Sequence, residues 1–227
     1  LASGGSSVYS MGRNNAGQCG TDSIGTIYFP MLIQLPSQIQ VIKLSTGKNH
    51  SLLLTSTGTV YGSGNNEFGQ LGLGNKLSQS LTFRIIPGIK DIIDISCGYN
   101  HSLACSDSSS DGKLYTWGHP ENGVLGHGSD GQTIDAGVHY DYITTPLLIT
   151  TFLLKDSHNK VIKTMGMNVG NQPIPHIRRV AGGKNHSIVL EDWENKNGNS
   201  NVNLNRVFSF GSGGYGRLGH GSGITAD

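Results

Sequence analysis

One block of sequence recurs four times along the chain, and this repetition constrains the fold more than any other feature. Each copy has an apolar residue, an aromatic residue, two further residues and a glycine, followed by four residues and Gly-x-Leu-Gly. Cys19 replaces the leucine in the first copy. The copies occupy residues 8–20, 60–72, 114–126 and 207–219. Such a period is typical of architectures in which each repeat is one supersecondary unit.

A second block recurs three times and alternates with the first. It reads Gly-x-Asn-His-Ser followed by an apolar run, and it begins at Gly47, Gly98 and Gly183. Short β-rich runs flank turn residues such as Gly58, which predicts hairpins. Together the two blocks cover residues 8–20, 46–72, 97–126 and 182–219.

The alternation predicts an all-β fold, a β-propeller with four short strands in each blade. We expect strands to end at the first glycine of each block: Gly12, Gly64, Gly118 and Gly211. These positions are 52, 54 and 93 residues apart, so the chain, residues 1–227, forms one partial propeller of about four blades with an insertion. A structural role is assigned to the recurring residues Gly12, Gly17, Gly47, His50, Gly64, Gly69, Gly98, His101, Gly118, Gly123, Gly183, His186, Gly211 and Gly216.

The insertion is assigned to residues 129–177. It contains the β-like run ITTPLLITTFLLK and a polar turn, which together predict a protruding hairpin or an extra ribbon. A shorter extension at 191–205 is rich in Asn and poor in apolar residues, which predicts a mobile loop tip.

The insertion also supplies the candidate partner-binding residues. Recognition concentrates in loops on a rigid scaffold, and aromatic and methionine side chains are enriched at interfaces. The candidates are Tyr140, Tyr142, Phe152, Met165 and Met167. The alternative is that these side chains cover the side of the propeller itself. Trp193, in the Asn-rich extension, is a weaker candidate.

These blocks resemble the regulator-of-chromosome-condensation repeat family over nearly the whole chain. Segments such as GRNNAGQCG and LYTWGHPENGVLGHGSDG are similar to the branch of its second, telophase-disk member. The resemblance implies a seven-bladed propeller whose remaining blades come from further sequence. It also implies protein partners, namely small GTPases or chromatin, centromere and microtubule components, and a role in cell division.

Three functions stay open at this point. The first is a protein-interaction platform, and the second is a guanine-nucleotide exchange factor for a Ran-, Rac- or Ral-type GTPase. Exchange breaks no covalent bond, so it would leave no catalytic motif in the sequence. The third is a structural subunit of an organelle assembly, because the family has mitochondrial relatives. An intracellular location is expected in each case, in the nucleus, the cytoplasm, the spindle or the mitochondrion.

The repeated histidines His50, His101 and His186 could in principle meet around a propeller axis. Their fixed place after a glycine turn favours a structural role, in which buried imidazoles bond backbone groups. Cysteines and carboxylates do not join them at the spacing of zinc ligands, so no metal site is predicted.

Catalytic and cofactor motifs are not predicted either. The segment GSGGYG at 211–216 matches the dinucleotide pattern Gly-x-Gly-x-x-Gly, but RLGHGSGITAD after it cannot form the required helix. A nucleophile elbow is missing from the sequence. Asp107 and Asp111 lie in a stretch of turn composition, where solvated carboxylates are expected.

Charge and composition narrow the remaining classes. A net charge of +1 argues against direct nucleic-acid binding through phosphate neutralisation. Apolar runs long enough to span a membrane do not occur. Cys19, Cys97 and Cys105 form no disulfide framework, which predicts buried, reduced thiols in a reducing compartment.

Overall fold

The computed structural model describes residues 7–36, 39–74, 77–128, 132–134, 138–155, 161–166, 174–191 and 206–219. Within these ranges antiparallel strands are joined by turns and by three short 3-10 segments, and α-helix does not occur. Consequently the described chain has no helix with the length and apolar character needed to cross a membrane. The all-β prediction is confirmed.

The strands form consecutive blades, which we number from the N-terminal side. Blade 1 consists of β1 (Tyr9–Gly12) and β2 (Ile27–Leu32), paired antiparallel. Blade 2 is a four-stranded sheet of β3 (Val41–Thr46), β4 (His50–Thr55), β5 (Val60–Asn65) and β6 (Gln79–Ile85). Its strands follow one another in chain order, as in a propeller blade.

Blade 3 has the same four-stranded arrangement, but an additional hairpin lies between its third and fourth strands in the chain. It contains β7 (Ile92–Cys97), β8 (His101–Ser106), β9 (Leu114–Gly118) and, after a hairpin of β10 (Gln132–Ile134) and β11 (Val138–Tyr140), β12 (Ile143–Leu148). A second hairpin follows, formed by β13 (Thr151–Lys155) and β14 (Val161–Gly166). Blade 4 contains β15 (Ile177–Gly182), β16 (His186–Glu191) and β17 (Val207–Gly211).

These strands correct the boundaries of the predicted insertion. Residues 129–177 do not form one appendage, because β12 lies among them and pairs with β9 as the fourth strand of blade 3. The extra chain consists of two separate hairpins, one before β12 and one after it. The sequence predicts β structure over ITTPLLITTFLLK, but not that its first half, β12, is the edge strand of blade 3, where a sheet tolerates Pro146.

The predicted strand ends are confirmed, with β5 continuing one residue further to Asn65. The four terminal glycines Gly12, Gly64, Gly118 and Gly211 have φ between 105° and 112°. At Gly118 and Gly211 a Cβ would also lie 2.6 and 2.7 Å from the carbonyl oxygens of Asn100 and Asn185. Each of these carbonyls accepts a hydrogen bond from the residue after the glycine, at 3.0 and 2.8 Å. The two blocks therefore meet at this end of each blade.

The core lies between successive blades. All residues of β4 and β8 are buried, as expected for strands covered on both faces. Leu52, Ile95 and Trp117 belong to the cluster between blades 2 and 3, and Leu103 and Phe208 to the cluster between blades 3 and 4. Burying one such side chain contributes about 1.5–3 kcal/mol, so the contacts between blades dominate stability.

Candidate interaction face

The first histidine of the repeat connects two blades. His50 is buried in blade 2, and its Nε2 lies 3.0 Å from the Oγ of Ser102 in blade 3. The Ser102 hydroxyl donates its only proton to the carbonyl oxygen of Gln70, at 2.8 Å. The hydroxyl must therefore accept from the imidazole, so His50 carries a proton on Nε2.

The second histidine makes the same connection one blade further along. His101 Nε2 lies 3.0 Å from Ser187 Oγ in blade 4, and Ser187 donates to the carbonyl oxygen of Val124 at 2.8 Å. Burial lowers the pKa of His50 to about 4 and that of His101 to about 3, with the other repeat histidines adding to the second shift. These imidazoles are therefore uncharged connectors between blades at neutral pH.

This geometry refines the histidine prediction. His50 and His101 are buried as expected, whereas His186 is only half-buried. The Nε2 atoms of His50 and His101 each bond a serine hydroxyl of the next blade, a contact that the prediction did not include. The signal was present in the sequence, since a serine follows every repeat histidine, and two of these serines, Ser102 and Ser187, accept from the histidine of the preceding blade.

The repeated glycines make room for these contacts. The imidazole of His50 lies against Gly47, where any Cβ would overlap the ring, and the same holds for the other two copies of the motif. Gly17 and Gly69 have φ of 79° and 74°, and a Cβ on either would lie within 2.7 Å of a backbone atom in the next blade. A side chain at any of these positions would therefore overlap neighbouring atoms.

All these motifs lie at one end of the blades. His50 pairs with Gly64, and His101 pairs with Gly118, so the Gly-x-Asn-His turns and the loops after the strand-end glycines are adjacent. We call this end the motif face, defined by the turns 47–50, 98–101 and 183–186 and the loops 65–72, 119–126 and 212–219.

An aromatic cluster bridges blades 2 and 3 on the motif face. The ring of Phe68 lies 4.7 Å from that of His119 and 5.2 Å from that of Tyr142, and His119 lies 5.1 Å from Tyr142. Tyr142 is 39% exposed, and the other two rings are half-buried. Partial burial lowers the pKa of His119, with Glu121 opposing the shift, so the imidazole packs as a neutral ring near pH 7. The cluster combines an accessible aromatic surface with a fixed geometry.

The other candidate partner-binding residues are placed differently. Phe152 is only 6% exposed, and its ring centroid lies 5.1 Å from that of Phe208. This side chain therefore packs on the propeller itself, which was the alternative to partner binding. Tyr140 lies in β11, and Met165 lies in β14 opposite Phe152 in the strand register. Met167 and Trp193 lie outside the described residues. Of the two candidates whose side chains the structure describes, Tyr142 belongs to the aromatic cluster and Phe152 does not.

Sequence reasoning missed Phe68 and His119. Both stand in the four-residue spacer of the first block, where the copies differ from one another: NNEF in blade 2 and HPEN in blade 3. Aromatic residues at variable positions of a repeat were the available signal.

The segment GSGGYG at 211–216, which matches the dinucleotide pattern, forms a turn in the structure. Gly214–Gly216 form a 3-10 segment, with Tyr215 at φ 61°. Asn122 has φ 62° at the equivalent place in blade 3, so this loop conformation belongs to the repeat. Among the described residues, groups of three or more His, Cys, Asp or Glu that could hold a metal ion do not occur.

Comparison with known proteins identifies these repeats. The model of the regulator of chromosome condensation (RCC1) repeat matches residues 6–54 and 57–105, and a second model of the same description matches 41–70 and 92–124. Protein RCC2 of Mus musculus is 35% identical over 218 residues, which are 94% of this chain and 37% of that protein. The predicted similarity to the branch of the second family member is confirmed. The chain spans less than two-fifths of the length of this relative.

Solved structures share the fold. Human WBSCR16 has a TM-score of 0.63 and 22% identity, over 96% of this chain and 46% of that one. Prp20p of Saccharomyces cerevisiae has a TM-score of 0.59 and 20% identity, over 78% of this chain and 38% of that one. Together with the repeat matches and the blade topology, these similarities establish that the chain is part of a β-propeller and belongs to the regulator of chromosome condensation (RCC1) repeat family.

Proposed function

We propose that this part of the propeller is a protein-interaction platform whose partner binds the motif face, with a small GTPase as the first candidate. The observation that carries the proposal is the aromatic cluster of Phe68, His119 and Tyr142. It joins two blades, and it includes Tyr142, a candidate from the predicted insertion, whose ring packs against rings of two repeat loops.

The scaffold under the cluster supports this role. The loop carrying Phe68 is fixed because the Gln70 carbonyl accepts hydrogen bonds from Ser102 and from the indole N–H of Trp117. A partner that docks on rings held in this way loses little conformational entropy in ordering them, which favours affinity. Partly exposed aromatic groups with rigid support are the residue type that dominates binding energy at protein interfaces.

The choice of partner rests on the family. Prp20p, which shares the fold, is described by its binding to Gsp1p and histones. We extend to this chain the expectation of a small GTPase, with chromatin or microtubule-associated proteins as further candidates, acting in cell division within the nucleus, the cytoplasm or the spindle. Binding of a partner requires no covalent reaction, which agrees with a face built from turns and aromatic rings.

The test measures binding of the whole chain to nucleotide-free Ran-, Rac- and Ral-type GTPases by biolayer interferometry. We expect Phe68→Ala and Tyr142→Ala each to weaken binding at least tenfold, which corresponds to about 1.4 kcal/mol. Tyr28→Ala is the matched control, because Tyr28 is an 82% exposed aromatic on β2, in blade 1. Equal loss in the control, or no loss in either cluster variant, contradicts the proposal.

Release of a fluorescent GDP analogue from the same GTPases separates a platform from an exchange factor. A platform binds without accelerating release, whereas an exchange factor accelerates it and loses the effect with the same cluster variants. If the chain both binds the GTPase and accelerates release of the nucleotide, its function is that of a guanine-nucleotide exchange factor.

A further inference from the structure

Three consecutive turns of the motif face bring two lysines onto one aromatic ring. The variable residue of Gly-x-Asn-His is Lys48 in blade 2, Tyr99 in blade 3 and Lys184 in blade 4. The Nζ of Lys48 lies 4.6 Å from the centroid of the Tyr99 ring, and the Nζ of Lys184 lies 5.2 Å from it. We call these three side chains the turn triad.

The geometry concentrates positive charge. Both ammonium groups approach the same ring, so they lie within about 10 Å of one another, close to one screening length at physiological ionic strength. Both lysines are exposed, and neither forms an ion pair with a described carboxylate. Two like charges repel, and an anion that contacts both relieves this repulsion while remaining in contact with the ring.

The backbone beneath the triad is fixed. The Lys48 N–H donates to the Tyr99 carbonyl at 3.1 Å, and the Tyr99 N–H donates to the Gly183 carbonyl at 3.2 Å. Each turn is also closed by a 2.8 Å hydrogen bond from its glycine N–H to its histidine carbonyl. Only the lysine side chains therefore need to adjust when a ligand binds.

From this arrangement we propose that the turn triad binds carboxylate side chains of an acidic peptide segment. The N–H groups of Lys48 and Tyr99 are already engaged within the turns, so they cannot form the amide nest that typically holds a phosphate. The planar fork of arginine, which suits phosphate recognition, is not part of the triad. Two flexible ammonium groups beside an aromatic ring suit Glu or Asp side chains, whose methylene groups can pack on Tyr99.

The site is separate from the aromatic cluster, and it goes beyond the proposed function. A partner could use either surface alone, because the triad is built from the second repeat block and the cluster mainly from the first. Failure of GTPase binding would leave the triad proposal standing, and the reverse also holds.

The experiment measures fluorescence anisotropy of a labelled hexaglutamate peptide titrated with the whole chain at low salt. Replacing both lysines, Lys48→Gln with Lys184→Gln, is expected to weaken binding at least about fivefold, as the loss of two exposed ionic contacts predicts. The matched control is Lys90→Gln with Lys113→Gln, which removes the same charge at the opposite end of the blades. Added salt is expected to weaken binding to the unmodified chain, because the attraction is screened.

A second pair of variants tests the ring. Tyr99→Phe keeps an aromatic face for the ammonium groups and is expected to bind the peptide normally, whereas Tyr99→Ala is expected to bind it more weakly. Three results overturn the proposal: equal loss in the Lys90 and Lys113 control, no loss in the Lys48 and Lys184 variant, or tighter binding of single-stranded DNA with the same lysine dependence. The last result would assign the triad to nucleic acid.

Discussion

At the scale of single residues, the strand-end glycines are subject to two constraints, a positive φ and a close contact with a carbonyl oxygen, and substitutions can separate the two. Gly12 and Gly118 have nearly the same φ, 105° and 110°, but only Gly118 lies against a carbonyl oxygen, that of Asn100. Gly12→Ala therefore introduces backbone strain alone, whereas Gly118→Ala adds a steric overlap within the blade. We expect Gly118→Ala to lower the free energy of unfolding by at least about 1 kcal/mol more than Gly12→Ala in urea denaturation. Equal losses would mean that the carbonyl contact carries no weight.

The buried histidines predict a pH dependence of stability. Unfolded histidine gains a proton near pH 6.5, but burial lowers the pKa of His50 to about 4 in the folded chain. The stabilisation from neutral His50 is complete above about pH 6.5 and is lost as the pH falls towards about 4, by at most about 3 kcal/mol. Urea denaturation at several pH values measures this loss.

A glutamine variant supplies the control for this pH dependence. Gln has an N–H donor near the position of the imidazole Nε2, so His50→Gln can still donate to Ser102 but cannot titrate. We expect the variant to fold and to lose less stability than the unmodified chain between about pH 6.5 and 4. An unchanged slope would contradict the assignment of this loss to His50.

At the scale of elements, prediction from sequence succeeded where strands carry the repeated blocks. Gly12, Gly64, Gly118 and Gly211 mark the ends of β1, β5, β9 and β17 to within one residue, because L side chains rarely adopt their φ. The strand β12 carries no such marker, and the β-like run that contains it continues into β13, so the sequence does not show that β12 belongs to blade 3 and β13 to a separate hairpin. The aromatic cluster joins residues 68, 119 and 142, which are distant in sequence, so only the paired blades reveal it.

Phe152 anchors the hairpin of β13 and β14 to the hydrophobic core. Phe152 is buried against Phe208, whereas its neighbour Leu153 is 46% exposed. We expect Phe152→Ala to cost about 3–5 kcal/mol of unfolding free energy, as for other buried aromatic side chains. Leu153→Ala is the adjacent control and should cost less than about 0.5 kcal/mol, because surface substitutions rarely exceed this. Similar values for the two variants would place the hairpin outside the core.

At the scale of the whole molecule, stability rests on contacts that repeat from blade to blade. Ser45 Oγ accepts a hydrogen bond from the Cys97 N–H, and Ser96 Oγ accepts one from the Gly182 N–H, both at 2.9 Å. The contacts from His50 to Ser102 and from His101 to Ser187 join the same pairs of blades, with the same separations of 52 and 86 residues. In such an architecture the free energy of unfolding is close to the sum of the stabilities of the single repeats and of the interfaces between neighbouring repeats. A change at one interface should therefore loosen both blades that share it.

Asp94 tests this coupling because it joins three blades. Its carboxylate, 4% exposed, forms an ion pair with Lys43 of blade 2 and accepts a hydrogen bond from the Val180 N–H of blade 4, at 2.9 Å. Asp94→Ala leaves this buried N–H without its acceptor, whereas the ammonium group of Lys43 stays hydrated because that side chain is 39% exposed, so we expect a loss of about 1–3 kcal/mol. Amide hydrogen exchange should then quicken in β3 and β15 together.

A surface pair provides the control for Asp94. Asp111 pairs with Lys113 at 3.3 Å, but its side chain is 79% exposed, and such pairs contribute at most about 1 kcal/mol. Asp111→Asn removes one negative charge and suits the positive φ of this position, so its effect on stability should be small. Asp94→Asn should fall between the two, because the amide oxygen can still accept from Val180 while the ion pair is lost. If exchange quickens only in β7, where Asp94 lies, the blades open independently and the three-blade connection does not couple them.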